Sequence, residues 1–210
     1  MFGILMQILD GLGMTLGVFA LSLILSFPLG IVVAILRLSK VRVVRKITEI
    51  YIWILRGTPL LLQIMLVFFG LPTIGIAFDR FDSILIAFVL NYAAYFGEII
   101  RSGIQSIEKG QRESAEILGF SSWQINMKII LPQVIKRTLP SIGNEVITLV
   151  KDTSLVYAVG QNDILKYAKG VANSTGSLVP YVLAGVIYLV LTYVITKVFN
   201  EIEKKVNYEE

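Results

Sequence analysis

The sequence predicts an all-α, polytopic membrane protein with five transmembrane helices. Three observations predict it. More than half of the 210 residues are hydrophobic, mean hydropathy is +0.75, and only 16% are charged, against roughly a quarter in soluble domains. The apolar residues fall in runs of about twenty, enough to cross a hydrocarbon core of roughly 30 Å. The charges collect between those runs, with a mid-chain stretch, Arg112 to Pro132, polar enough to lie in water. Cysteine and histidine are absent, which removes disulfides, thiol chemistry and the commonest metal ligands. No metal site is expected. Basic residues flank the spans and form no soluble patch, so nucleic acid is not an expected partner. The N-terminus lacks a basic region and a cleavage site, and is expected to belong to the mature chain. No soluble domain or internal repeat stands out, so residues 1–210 read as a single transmembrane domain.

The first span is predicted over residues 11–38. Ser22, Ser26, Gly30 and Ala34 recur every four residues and form a small-residue seam for another helix or another subunit. Pro28 should kink it. A basic segment from Arg37 to Lys46 follows. The second span, residues 50–71, is interrupted by Arg56-Gly57-Thr58-Pro59, where Arg56 reads as an interfacial anchor before a proline kink. A loop joins it to the third span, residues 84–107. There Asn91, Tyr95, Glu98, Ser102 and Gln105 make one polar stripe, which must face water or polar partners. Arg101, three residues after Glu98, can neutralise it.

Residues 109–132 read as a charged hairpin: a short amphipathic element, a break at Gly119, and a second element ending at Leu131-Pro132. The fourth span, residues 139–160, is the most polar. Glu145, Thr148 and Asp152 share a face, and Lys151-Asp152-Thr153-Ser154 can break the helix and line a solute site. Residues 161–177 read as a loop, and residues 178–199 as the last span before a charged tail. About fifteen of the nineteen Lys and Arg lie in the first, third and last connections. The positive-inside rule then places the N-terminus outside and the hairpin and C-terminus in the cytoplasm.

The hairpin reads Glu113-Ser114-Ala115, three residues, Gly119, nine residues, Ile129, one residue, Leu131-Pro132. It resembles the EAA loop of ATP-binding-cassette (ABC) importer permeases, E-A-A-x3-G-x9-I-x-L-P, departing only at Ser114. Arg56 to Gln63, RGTPLLLQ, and the segment from Asn144-Glu145 to Leu155 are similar to stretches of permeases of the polar amino acid uptake family (histidine, glutamine or arginine type). The resemblance covers essentially the whole chain. It implies the type I ABC importer fold and a chain that is not an enzyme. No phosphate-binding loop occurs in it, so no cofactor is expected here. ATP and Mg would be used by a partner ATPase present in two copies.

The resemblance further implies that Glu113, Ser114, Ala115, Gly119, Phe120, Ile129, Leu131 and Pro132 couple to that ATPase. Small Ser114 and Ala115 would let the helix sit deep in a groove, and Glu113 would pair with the partner or cap its own helix. Other expected partners are a second permease subunit (homodimer first, heterodimer as the alternative), an extracytoplasmic amino-acid-binding protein and membrane lipid. The setting is a multi-pass protein of the prokaryotic cytoplasmic membrane. The expected substrate is a polar L-amino acid, which needs an anion for its ammonium group and donors for its carboxylate. Candidate acids are Glu98, Glu145 and Asp163. Candidate donors are Asn91, Tyr92, Asn144, Thr148, Lys151 and Ser154. If Arg101 pairs with Glu98 and Lys151 with Asp152, the remaining acids favour a cationic amino acid such as arginine, lysine or histidine. An ion-coupled transporter or channel is the rival reading, and a scaffold without transport a third. Both leave the hairpin pattern unexplained.

Overall fold

Every regular element among the described residues, 2–207 of this computed structural model, is helical. The elements are α1 (Phe2–Leu9), α2 (Leu12–Arg37), α3 (Arg42–Gly57), α4 (Leu60–Met65), α5 (Arg80–Gln105), α6 (Lys109–Ile117), α7 (Ser122–Gln124), α8 (Leu131–Asp152), α9 (Ile164–Thr175) and α10 (Val179–Asn207). Length and hydropathy single out Phe2–Arg37, Arg80–Gln105 and Val179–Val206 as able to cross a membrane, with Arg42–Gly57 and Leu60–Ile74 as a fourth if that bent pair is one span. The remaining span of the sequence reading, residues 139–160, corresponds to α8 and a 3-10 turn, Thr153–Val159. Its polar positions leave it outside that set.

The core joins α2, α4, α5, α8 and the 3-10 turn around Val18, Ile64, Phe88, Tyr92, Phe96, Leu149 and Val156. Lipid tails are as apolar as these side chains, so close packing must hold the helices together. The seam on α2 provides it within the chain. Ser22, Ser26, Gly30 and Ala34 are all buried. A Cβ on Gly30 would stand 2.7 Å from the Phe96 Cβ, and one on Gly97 would stand 2.5 Å from a Val33 methyl. The seam therefore serves α5 of the same chain.

The second span is not simply kinked. α3 ends at Gly57, Thr58 and Pro59 are extended, and the chain turns by 105° into α4. Proline lacks the N–H and obstructs the carbonyl four residues back, so the helix ends instead of bending.

Pro132 does not end the second element of the hairpin. α7, a π-helical stretch (Ile125–Ile130) and α8 run on without interruption. The π stretch explains how. Its ladder shifts to five-residue spacing, with the Leu131 N–H bonded to the Asn126 carbonyl, and the wider turn makes room for a ring that a regular helix would crowd. The same device precedes Pro72, where Leu66–Gly70 is π-helical and the Leu71 N–H reaches the Leu66 carbonyl. Residues 161–177 are also not a loop. They contain α9, capped by Asp163 and closed by left-handed Gly176.

Candidate functional site

The break between α3 and α4 faces α5 and α8 across a cavity of about 410 Å³. Arg56, Thr58 and Pro59 line one side. Tyr92 and Tyr95 come from α5, and Glu145, Thr148 and Asp152 from α8. Glu145, Thr148 and Asp152 share one face of α8 because they lie three and four residues apart. The Arg56 guanidinium lies 5.0 Å from the centre of the Tyr95 ring, a cation–π distance.

Several expected solute residues are already engaged. Asn91, 3% exposed, donates to the Leu55 carbonyl at 2.9 Å and to the Gln63 side-chain oxygen at 3.0 Å. Tyr92 donates to Asp152 at 2.8 Å, so its hydroxyl proton is not free for a solute carboxylate. That bond also replaces the expected Lys151–Asp152 pair, since no ion pair joins those two side chains among the described residues. Glu98 accepts from Arg101 at 2.7 Å, as its spacing requires, and lies outside the cavity.

Asp163 is not a solute acid. It is fully buried and caps α9, accepting from the backbone N–H of Leu165 and Lys166 at 3.1 and 3.0 Å. Gly11 packs against its backbone so closely that a Cβ there would lie 2.3 Å away. Burial raises the Asp163 carboxyl above the usual carboxylate range, and the cap bonds oppose that rise. Asn144 and Ser154 do not line the cavity either. Asn144 is exposed, and its carbonyl accepts from Thr148. Of the expected solute residues, Asn91, Tyr92, Glu145 and Thr148 meet there. Arg56, Tyr95 and Asp152 join them without having been among the expected solute contacts. The RGTP segment was the available signal for Arg56.

The hairpin is a second site. Gly119 has φ +82° with open space around it. It closes α6 at a conformation that costs other residues about 1–2 kcal/mol. Ala115 is buried against Ile107, Ile125, Ile130 and Val134. Its small size therefore lets the two arms of the hairpin meet. Glu113 is exposed in mid-helix and caps nothing; Glu108 holds the N-cap position. Ser114, Ala115, Phe120 and Ile129 line one shallow depression, whereas Leu131 lines an apolar groove elsewhere and Pro132 is exposed. The tip leaves Ile117, Leu118 and Trp123 at 86, 75 and 70% exposure. Ser121 and Gln124 form a capping box that fixes the start of the second arm.

Residues 26–208 match the family described as binding-protein-dependent transport system inner membrane component. The chain is 40% identical over 200 residues to the arginine transport system permease protein ArtQ of Bacillus subtilis (strain 168), covering 94% of this chain and 91% of that one. It is 37% identical to a putative glutamine transport system permease protein, GlnP, of Rickettsia bellii (strain RML369-C), covering 94% and 92%. A crystal structure of an amino acid ABC transporter with histidines superimposes with a TM-score of 0.88 at 32% identity, over 95% of this chain and 94% of that one. The MetNI methionine ABC transporter shares the fold at a TM-score of 0.71 and 17% identity, over 94% and 93%. The chain therefore belongs to the binding-protein-dependent inner membrane components, the membrane-spanning permease subunits of ABC importers that leave ATP hydrolysis to a separate subunit.

Proposed function

We propose that this permease passes amino acids, with cationic ones such as arginine, lysine or histidine preferred, through the cavity at the α3–α4 break. One observation carries the proposal: a single guanidinium, Arg56, shares that cavity with two carboxylates, Glu145 and Asp152. Arg56 suits an α-carboxylate, since its planar fork matches both oxygens. Glu145 suits the α-ammonium group. Asp152 then leaves one negative charge for a cationic side chain. The arginine-transporting relative supports this preference, and the glutamine-named relatives make a neutral amide the competing solute.

Arg56 is exposed within one subunit, so a second permease subunit, identical or similar, would supply the missing wall. Residues 109–132 dock on a two-copy ATPase that binds ATP and Mg. The exposed Ile117, Leu118 and Trp123 at the hairpin tip give that docking its apolar contact. The N-terminus lies outside and the hairpin and tail in the cytoplasm, in keeping with the distribution of Lys and Arg. Solute arrives from an extracytoplasmic binding protein.

Proteoliposomes holding the permease, its ATPase and its binding protein test this. Uptake of labelled arginine should require internal ATP and should be displaced by lysine better than by glutamine. Asp152→Asn should abolish that order, whereas Glu145→Gln should weaken lysine and glutamine alike. Uptake driven by an ion gradient through the permease alone, or equal displacement by all amino acids, would sink the reading.

A further inference from the structure

The turn at Thr58-Pro59 strands backbone carbonyls at the end of α3, and two side-chain amides meet them. Gln63, one turn into α4, reaches back eight residues and donates to the Leu55 carbonyl at 2.9 Å. Its other N–H is shared between the Thr58 carbonyl at 3.1 Å and the Thr58 hydroxyl at 2.9 Å. Asn91 of α5 donates to the same Leu55 carbonyl and to Gln63 itself. The Thr58 hydroxyl donates to the Ile54 carbonyl. The corner is thus closed by a network, not by packing alone.

The network lies beside Arg56. Leu55 and Arg56 are consecutive, and Asn91 and Tyr95 lie one turn apart on the facing side of α5. Asn91 holds the carbonyl of Leu55, while Tyr95 holds the guanidinium of Arg56. One turn earlier on α3, the Tyr51 hydroxyl donates to the Leu90 carbonyl at 2.6 Å. The last turns of α3 are pinned to α5 at successive points, and Gln63 ties the far side of the break to the same place.

We infer that Gln63 is a positioning residue: with Asn91 it fixes the α3–α4 corner, and so fixes where the Arg56 guanidinium stands in the solute cavity. Gln63 is not among the residues lining the cavity and acts through Arg56. Both N–H bonds of Asn91 are used in the corner, which moves Asn91 from solute contact to the same positioning role. This inference rests on the reading that the Arg56 cavity holds the solute.

A double-mutant cycle tests it in proteoliposomes containing the assembled transporter. Arg56→Met should raise the half-saturation for arginine by an order of magnitude or more, about what loss of a charge-assisted pair costs. Gln63→Met should raise it about tenfold, with a smaller change in maximal rate. Gln63→Glu, which keeps the outline and loses the donors, should behave alike. The double variant Arg56→Met/Gln63→Met should be no worse than Arg56→Met within about twofold, because a residue acting through Arg56 has nothing left to position. Multiplication of the two effects would overturn the inference, as would normal half-saturation in Gln63→Glu. Failure of both Gln63 variants to assemble with the ATPase would make Gln63 a folding element only, and would also overturn it. Unchanged uptake in Arg56→Met would instead overturn the solute-cavity reading beneath it.

Discussion

The Tyr92 hydroxyl donates to the Asp152 carboxylate at 2.8 Å, joining the middle of α5 to the last residue of α8. Tyr92 is 1% exposed, so water does not replace this bond when it is lost. A hydrogen bond to a charged group contributes about 1.5–3 kcal/mol. Tyr92→Phe should therefore lower the thermal unfolding midpoint in detergent by about 5 °C. An unchanged midpoint would mean that Asp152 finds an equal partner.

The glycines on α2 should separate by position. Gly30→Ala places a methyl 2.7 Å from the Phe96 Cβ and should cost about 1–3 kcal/mol by overpacking. Gly17→Ala meets nothing within 4 Å and should stabilise by up to about 1 kcal/mol through helix propensity. Thermal unfolding of the two variants side by side checks the opposite signs.

Gly119→Val isolates conformation from crowding, because the space around Gly119 is open while its φ is +82°. The strain, about 1–2 kcal/mol, falls on the hairpin turn alone. The variant should remain in the membrane yet lose most ATP-driven uptake and co-purify less ATPase. Full uptake would count against docking at this turn.

Asp163→Asn should leave solute affinity unchanged and cost up to about 1 kcal/mol of stability, since asparagine keeps only one of the two oxygens that accept the cap bonds. Asp163→Ala should cost about 1 kcal/mol and still leave affinity alone. Unfolding midpoints and uptake half-saturation measure the two separately. A selective loss of arginine affinity in Asp163→Asn would restore that residue to the solute site.

Periodicity made the long helices legible, because a lipid-crossing helix must be continuously apolar. It also exposed the polar face of α8, where Glu145, Thr148 and Asp152 line the cavity. The 105° corner was not legible. It depends on Gln63 and Asn91, which lie 28 residues apart, and no local pattern announces a contact at that range. Arg56 was therefore read as an anchor at the membrane surface. α9 was missed for a different reason: Asp163 followed thirteen residues later by Gly176 is a helix start and stop signal, but the intervening lysines suggested a loop. Ala115 shows the limit of a motif. Its smallness was visible, whereas the direction it faces needed the second arm of the hairpin in place.

From Ser122 to Asp152 the backbone is one unbroken column, roughly 45 Å long at 1.5 Å per residue. Trp123 sits near one end and the Tyr92-bound carboxylate at the other. A jointed connection would absorb a displacement at the tip in its loop. A continuous helix has less of that slack, so a tilt imposed near Trp123 should reappear as a displacement of Asp152 relative to Arg56, with Pro140 the point inside α8 where bending is easiest. The widened turn before Pro132 keeps the helix continuous where the hairpin passes into α8, and so ties the movement of one end to the other.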